Sequence, residues 1–393
     1  MAGTLDGEAR GLRGIGHHAL DGFGDGMQVQ KQGDALYVGH FGVSGAGTSI
    51  LDASDPTDLR LVRQWRSPHG SHTHKVQVAD GLLLVNHERF RGGDPWSAGM
   101  AVYDLADPFA PEQVGWFDST GAGVHRIVWM GGDHAYVSAT PEGFDDRIWV
   151  VVDMRDPADP RETGRWWWPG QHVAAGEEPT WPEGRRFAAH HALVDGDTAY
   201  LGYGDAGLVV LDIADRAKPT QLANLQWSPG GDTHTCLPLP GRDLLVVTDE
   251  TVDSSTEEHL VRVVDVADPA DPKVVSVCPP PPGDYATRGL RFGPHNTHEN
   301  RPGSYRSAEL VFVTYFNAGL RVYDVADAAH PVEVAHWLPV VPDGQVAVQM
   351  NDVWVGEDLD VYVTDRVNGG VYVVRPDDEL AARMQSAALS PTS

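Results

Sequence analysis

Five histidines stand at matching stations along the chain: His74 in SHTHKVQV, His125 in GVHRIVW, His191 in AAHHALV, His234 in GDTHTCL, and one of His295 and His298 in GPHNTHEN. Each opens or just precedes a short apolar run. With 18 histidines in 393 residues, chance would put one at a given station about once in twenty-two. Five in register are therefore not independent accidents. Imidazoles gathered in one small volume repel when protonated and are best stabilised neutral around a cation. Three or four such nitrogens suit a divalent transition metal, Fe(II) first, with Mn, Cu, Ni or Zn as alternatives, and leave a position for water or substrate.

The expected metal ligands are His74, His125, His191, His234 and His298. His298 is preferred to His295 because Glu299 and Asn300 follow it as an outer arm. Glu88, Glu250 and Glu299 are the carboxylates expected to fix the imidazole tautomers. His87, with Glu88 and Arg89, is a candidate proton relay, and Arg126 is grouped with Arg89, Arg91, Arg288 and Arg291 as a partner for a substrate carboxylate. His72 and His190 adjoin the stations in sequence, and strand alternation turns them elsewhere. A shared turn histidine, bonded to a neighbouring carbonyl, is the competing explanation for the whole pattern.

What must position these residues is a repeat. A β-branched run, an Asp and a Pro-containing turn return as SILDASDP, MAVYDLADP, WVVVDMRDP, GLVVLDIADRAKP, VRVVDVADP and GLRVYDVADAAHP, with a degenerate seventh copy, GGVYVVRP. The marker Asp falls at 52, 104, 153, 212, 265 and 324, spacings of 49 to 59 residues that belong to solenoids and propellers. Each unit reads as four short strands joined by turns. The fold expected is all-β, a seven-bladed β-propeller with four-stranded antiparallel blades. The seventh unit lacks its outer strand, which the segment around Leu12 to Leu20 can supply, so that an N-terminal strand closes the ring. The division is 1–24 as closing segment, 25–376 as one propeller domain and 377–393 as a tail, a short helix or disordered.

These phrases resemble the unit of the LVIVD-repeat family of β-propellers over about residues 25 to 376, with Arg216 in place of Pro and the last Asp lost as departures. That resemblance implies fold more than activity. The histidine cluster is broadly similar to two groups of metal-bearing propellers, the carotenoid-cleaving oxygenases and the selenium-binding protein and methanethiol oxidase group. The likeness is one of architecture and ligand type, and carries no substrate.

Composition narrows the field. Lys+Arg 29 against Asp+Glu 56 gives −27, with no basic block, which argues against nucleic acid. No apolar run long enough to span a membrane occurs, and the two cysteines, Cys236 and Cys278, read as reduced and buried, so the expected location is cytoplasmic. Oligomerisation stays open. GxGxxG after a first strand, GxxxxGK[ST], HExxH and GxSxG are all absent. Aromatic-rich insertions carrying Trp96, Phe144, Trp168, Trp181 and Tyr305 are expected to roof a pocket. The function expected is a metal-dependent enzyme with a mononuclear centre on the propeller axis, acting on a small organic substrate as an oxidoreductase, lyase or hydrolase. A non-catalytic binding scaffold with structural histidines is the alternative.

Overall fold

A computed structural model describes residues 5–42, 45–89, 96–252, 258–367 and 369–390. Arg91 lies outside the described residues. The chain forms a multi-bladed, propeller-like arrangement of antiparallel sheets, five of four strands and one of nine. The first four-stranded sheet runs Gly26–Gln32, Ala35–His40, Ala46–Asp52 and Arg60–Arg66. Later sheets repeat this meander, and the nine-stranded one is joined across by the single pair Gly123↔Glu88.

The repeated phrase has a local physical cause. Each marker Asp ends its strand and accepts the backbone N–H two residues on, as Asp52 does from Ser54 at 2.9 Å and Asp212 from Ala214 at 2.9 Å. The second Asp does the same one turn later, Asp55 from Thr57 and Asp268 from Ala270. These Asx turns reverse the chain without a tertiary partner. The apolar residues before them are buried: Ile50, Val102, Val151, Val210, Val263 and Val322 are at most 1% exposed. Sheets then pack face to face through aliphatic side chains, and each single sheet gains a buried second face.

Both chain ends enter the sheets. Leu12–His18 pairs with Gly370–Pro376, the expected closing strand. A second N-terminal strand, Asp6–Arg10, which sequence reading did not separate, pairs instead with Val332–Pro339 in the preceding sheet. The tail forms a helix, Asp378–Ala387, whose N-cap Asp377 accepts the Leu380 N–H at 2.9 Å.

The first strand of each sheet is an edge with unpaired backbone groups. Polar side chains from the neighbouring sheet satisfy them. Gln28 and Gln30 accept the N–H groups of Val76 and Val78 at 2.9 and 2.8 Å, Asp352 accepts that of Val29, and Asn351 donates to the Met27 carbonyl. Gln28 in the first repeat, and Asn351 and Asp352 in the last, thus stitch sheets together.

Candidate metal centre

Where these first strands approach one another, six imidazoles form a continuous cluster. His72 and His74 lie with ring centroids 4.0 Å apart, His74 and His125 5.0 Å, His125 and His190 4.9 Å, His190 and His234 3.7 Å, and His234 and His295 4.3 Å. Three sets of donors lie within 4.8 Å of one another: His72, His74, Glu88 and His125; His190, His191 and His234; His234, Glu250 and His295.

Burial decides the charge of these rings. It pushes His74, His190, His234 and His295 well below the ordinary histidine range, with neighbouring cations acting the same way. Burial, and then Arg147, takes His125 to about 3. These five imidazoles are neutral at pH 7, the form in which they ligate metals. Burial alone would raise Glu88, but His125 and His72 outweigh it and hold the carboxylate well below its usual range.

Glu88 accepts from His72 Nε2 at 2.6 Å and from His125 Nδ1 at 2.8 Å. Glu250 accepts from Arg291 at 2.7 Å and faces His234 Nε2 and His295 Nε2 at 3.7 and 3.6 Å. A layer of buried charge adjoins the rings. Arg126 donates to Glu299 at 2.5 Å, Glu299 lies 3.0 Å from His191 Nε2, and Arg301 donates to Glu299 at 3.0 Å and to Gln77 at 2.5 Å. Burial pulls Lys75 down and pushes Asp352 up in the same layer.

Of the expected ligands, His74 and His125 fall in one donor set and His191 and His234 in another, with His191 also lying among Arg126, Glu299 and Thr235. His298 is placed apart. Its Nε2 donates to the Tyr305 carbonyl at 2.6 Å and its Nδ1 accepts the Val355 N–H at 3.3 Å, so both nitrogens are committed. The segment 295–299 pairs in strand fashion through Thr297↔Val313, which puts residues 295 and 299 on one face and 298 on the other. His295 is the histidine that joins the cluster, and choosing His298 together with its neighbour Glu299 contradicted alternation.

Glu88 and Glu250 lie at the rings, and Glu299 and Arg126 in the layer beside them. His87 faces away: its ring meets Trp116 edge-on at 4.9 Å, and it lines a cavity of about 530 Å³ with Trp65 and Tyr103. It forms no relay with Glu88, because successive residues of Leu82–Arg89 point to opposite faces. Arg288 binds Glu8 and Asp284 at the N-terminal edge instead.

Sequence reasoning set aside His72 and His190, and both belong to the cluster. His72 sits in a separate two-residue strand, Ser71–His72, paired with Arg89 and Glu88. His190 precedes the strand Ala192–Asp195. Alternation counted from the following strand governs neither.

Trp168, Trp181 and Phe187 pack together, with Phe187 5.0 and 5.5 Å from the two indoles, and Phe187 lines a cavity of about 290 Å³ with Trp227, Arg185 and Asp205. Cys236 is buried in the strand Thr233–Pro238, and desolvation pushes its thiol well above the usual range. Buried and held protonated, it is poorly placed to act as a nucleophile.

Fold and site together define the class: an all-β, propeller-like protein with an LVIVD-repeat fragment and His/Glu clusters able to coordinate a metal. The LVIVD repeat model matches residues 188–225. Among solved structures, the chain is similar to the periplasmic gluconolactonase of Pseudomonas aeruginosa, at 14% identity and TM-score 0.58, covering 86% of this chain and 93% of that one. It is also similar to a functionally unknown protein from Desulfotomaculum acetoxidans, at 12% identity and TM-score 0.52, covering 90% of each chain. A computationally designed protein, Ika8, matches at 10% identity and TM-score 0.52 over 92% of this chain and 98% of its own. No curated protein matches the sequence.

The expectation of a cytoplasmic location is corrected by the first of these likenesses. The similar gluconolactonase is periplasmic, so an acidic chain of this fold is not thereby cytoplasmic, and two buried free thiols do not place it there. Among the described residues, no helix is long and apolar enough to cross a membrane.

Proposed function

We propose that the chain is a metal-dependent enzyme on a single seven-bladed propeller domain, residues 25–376, acting on a small organic substrate at a histidine-lined centre on the propeller axis. Dividing the nine-stranded sheet at its single cross-pair leaves two four-stranded halves and the two-residue strand Ser71–His72, which supports the seventh blade. The observation that carries the function is the set of buried ring nitrogens without hydrogen-bond partners, His74 Nε2, His190 Nδ1 and His234 Nε2. Each orphaned polar atom costs about 1–3 kcal/mol. A divalent cation ligated by a bare nitrogen among them offsets that nitrogen's cost.

The donor set of imidazole and carboxylate fits Fe(II), with Mn, Cu, Ni or Zn as alternatives. Such an ion supplies Lewis acidity or a site for oxygen activation. Around it, Glu88 holds the protons of His72 Nε2 and His125 Nδ1 in place. Arg126 and Arg301 neutralise Glu299 and keep the adjoining layer rigid. Arg291 and Arg366, both beside Glu250, are the cationic groups available to an anionic substrate. Lactone hydrolysis is one reaction found on a similar fold, and the fold likeness carries no substrate to this chain.

The test is metal content by plasma mass spectrometry on protein purified without a metal-affinity tag. About one equivalent of a transition metal is expected, with turnover of carboxylate-bearing substrates abolished by chelation and restored by the same ion. Failure to take up any ion after anaerobic reconstitution would leave a binding scaffold with structural histidines.

A further inference from the structure

Proton bookkeeping distinguishes the two halves of the histidine cluster. In the half around Glu88, the carboxylate already receives two N–H groups, from His72 and His125. Neutral His125 then has a bare Nε2, which accepts from His190 Nε2 at 3.1 Å. The Asn86 amide is oriented by Lys75, whose N–H it accepts at 2.7 Å, so its NH2 group lies toward the Val124 carbonyl at 2.8 Å and toward His74 Nδ1 at 3.2 Å. His74 therefore carries its proton on Nε2. That half presents a proton and a saturated carboxylate to the centre, a poor welcome for a cation.

The other half is arranged the opposite way. His295 donates Nδ1–H to the Asn351 carbonyl at 2.6 Å, leaving Nε2 bare. Thr235 Oγ1 sits between His191 Nδ1 at 3.1 Å and His234 Nδ1 at 2.9 Å. One hydroxyl proton cannot serve both, so it is given to one ring while the other ring donates. At the far end, His191 Nε2 has the Glu299 carboxylate at 3.0 Å to accept a proton. Arg126, a donor only, lies 2.5 Å from the same carboxylate and 3.1 Å from that nitrogen, so without an ion its second N–H can go to His191 Nε2. His234 Nε2 has no acceptor in hydrogen-bonding reach. A cation at His234 Nε2 would select the other direction, with the His191 Nε2 proton turned to the ionised Glu299. In that arrangement His191 holds Nε2–H, Thr235 donates to His191, His234 donates Nδ1–H to Thr235, and His234 Nε2 is bare. Two bare nitrogens thus face Glu250 at 3.7 and 3.6 Å, near the edge of roughly 3.4 Å between tetrahedral ligands with bonds of about 2.1 Å.

We propose that the cation binds on this side only, through His234 Nε2, His295 Nε2 and the Glu250 carboxylate, and that Thr235 is the positioning residue that sets the His234 tautomer for it. Two histidines and one carboxylate leave coordination positions open, the pattern of catalytic Zn(II) and non-haem Fe(II) sites. His190, stacked on His234, borders the open side. The inference rests on the metal-enzyme reading and assigns the position of its ion.

Co(II) titration of the full-length protein, read by visible absorption and by metal content, tests it. His234→Ala and His295→Ala should lose the ion, with His295→Gln as the milder variant if the alanine form is unfolded by circular dichroism. His74→Ala and His125→Ala should keep close to one equivalent. Thr235→Val should weaken the Co(II) Kd by about 10–100-fold, and Thr235→Ser should restore it. Loss of the ion from the His74 or His125 variants with retention in the His295 variants would overturn this position while leaving a metal enzyme. An unchanged Kd in Thr235→Val would overturn the relay. If the parent binds no Co(II), Zn(II) or Fe(II), the functional reading fails as well.

Discussion

Replacing His298 by glutamine should flatten the acid end of the stability profile. His298 is buried, its Nε2 donating to Tyr305 and its Nδ1 accepting from Val355, so a second ring proton would meet an N–H instead of a lone pair. Burial is the main reason its pKa falls from 6.5 to about 4. Above pH 6.5 both folded and unfolded chains carry it neutral, and it has no effect on the pH dependence. As pH falls below 6.5 the unfolded chain takes up a proton that the folded chain refuses, and stability drops until about pH 4, where the folded ring titrates too. At about 1.4 kcal/mol per pH unit, that window costs about 3 kcal/mol. Glutamine can donate to Tyr305 and accept from Val355 without titrating. Urea unfolding of both proteins at pH 7 and at pH 4 should show the parent losing about 3 kcal/mol more than His298→Gln. The other buried histidines titrate in both proteins and cancel in the difference. Parallel losses would refute the reasoning, and so would a variant that loses its metal, since His298 would then be a ligand.

Three further outcomes are expected. Arg262→Met removes the cation beside Asp249, a fully buried carboxylate otherwise held by Trp227 and Thr233 at 2.9 and 3.0 Å, and should destabilise by about 3–5 kcal/mol at pH 8. Burial already raises Asp249 to about 6, so the deficit should shrink when unfolding is measured at pH 5, where the stranded group is protonated. Gly115→Ala would set a Cβ 2.0 Å from the Pro157 carbonyl oxygen in the other half of the nine-stranded sheet and should cost about 1–3 kcal/mol by thermal or urea unfolding. Iodoacetamide should alkylate neither Cys236 nor Cys278 in the native protein and both in denaturant, because burial pushes both thiols up; rapid native labelling of Cys236 would show a reactive thiol and refute this.

The sheets were legible because their signal is local. An Asp that bonds the N–H two residues on needs nothing from elsewhere in the chain, and the valine run before it is buried in every copy. The histidine register was legible for the same reason, since repeats inherit the station. What escaped was set by backbone that departs from regular strand. His72 belongs to its own two-residue strand and His190 to the approach of another, so counting alternation from the next strand misplaced both. His295 could have been found by extending alternation back from Glu299. A second missed regularity is glycine in the outer strands. Gly16, Gly115 and Gly164 each leave room for a backbone carbonyl of the following turn, at Pro56, Pro157 and Arg216, and each sits beside a bulge in its strand pairing. That seam depends on contact between sheets, and its sequence trace is a lone glycine in segments such as EQVGWF.

The pairing of Leu12–His18 with Gly370–Pro376 sets a timetable for the molecule during its synthesis. The strand Leu12–His18 must wait for a partner made after roughly 350 further residues, about 20–70 s at ordinary elongation rates. For that interval it is an unpaired edge, the kind of segment that recruits other chains. Its sequence, LRGIGHH, holds two apolar side chains among glycine, arginine and histidine. Such a strand has little with which to hold a wrong neighbour, and it becomes stable when the last sheet arrives to receive it.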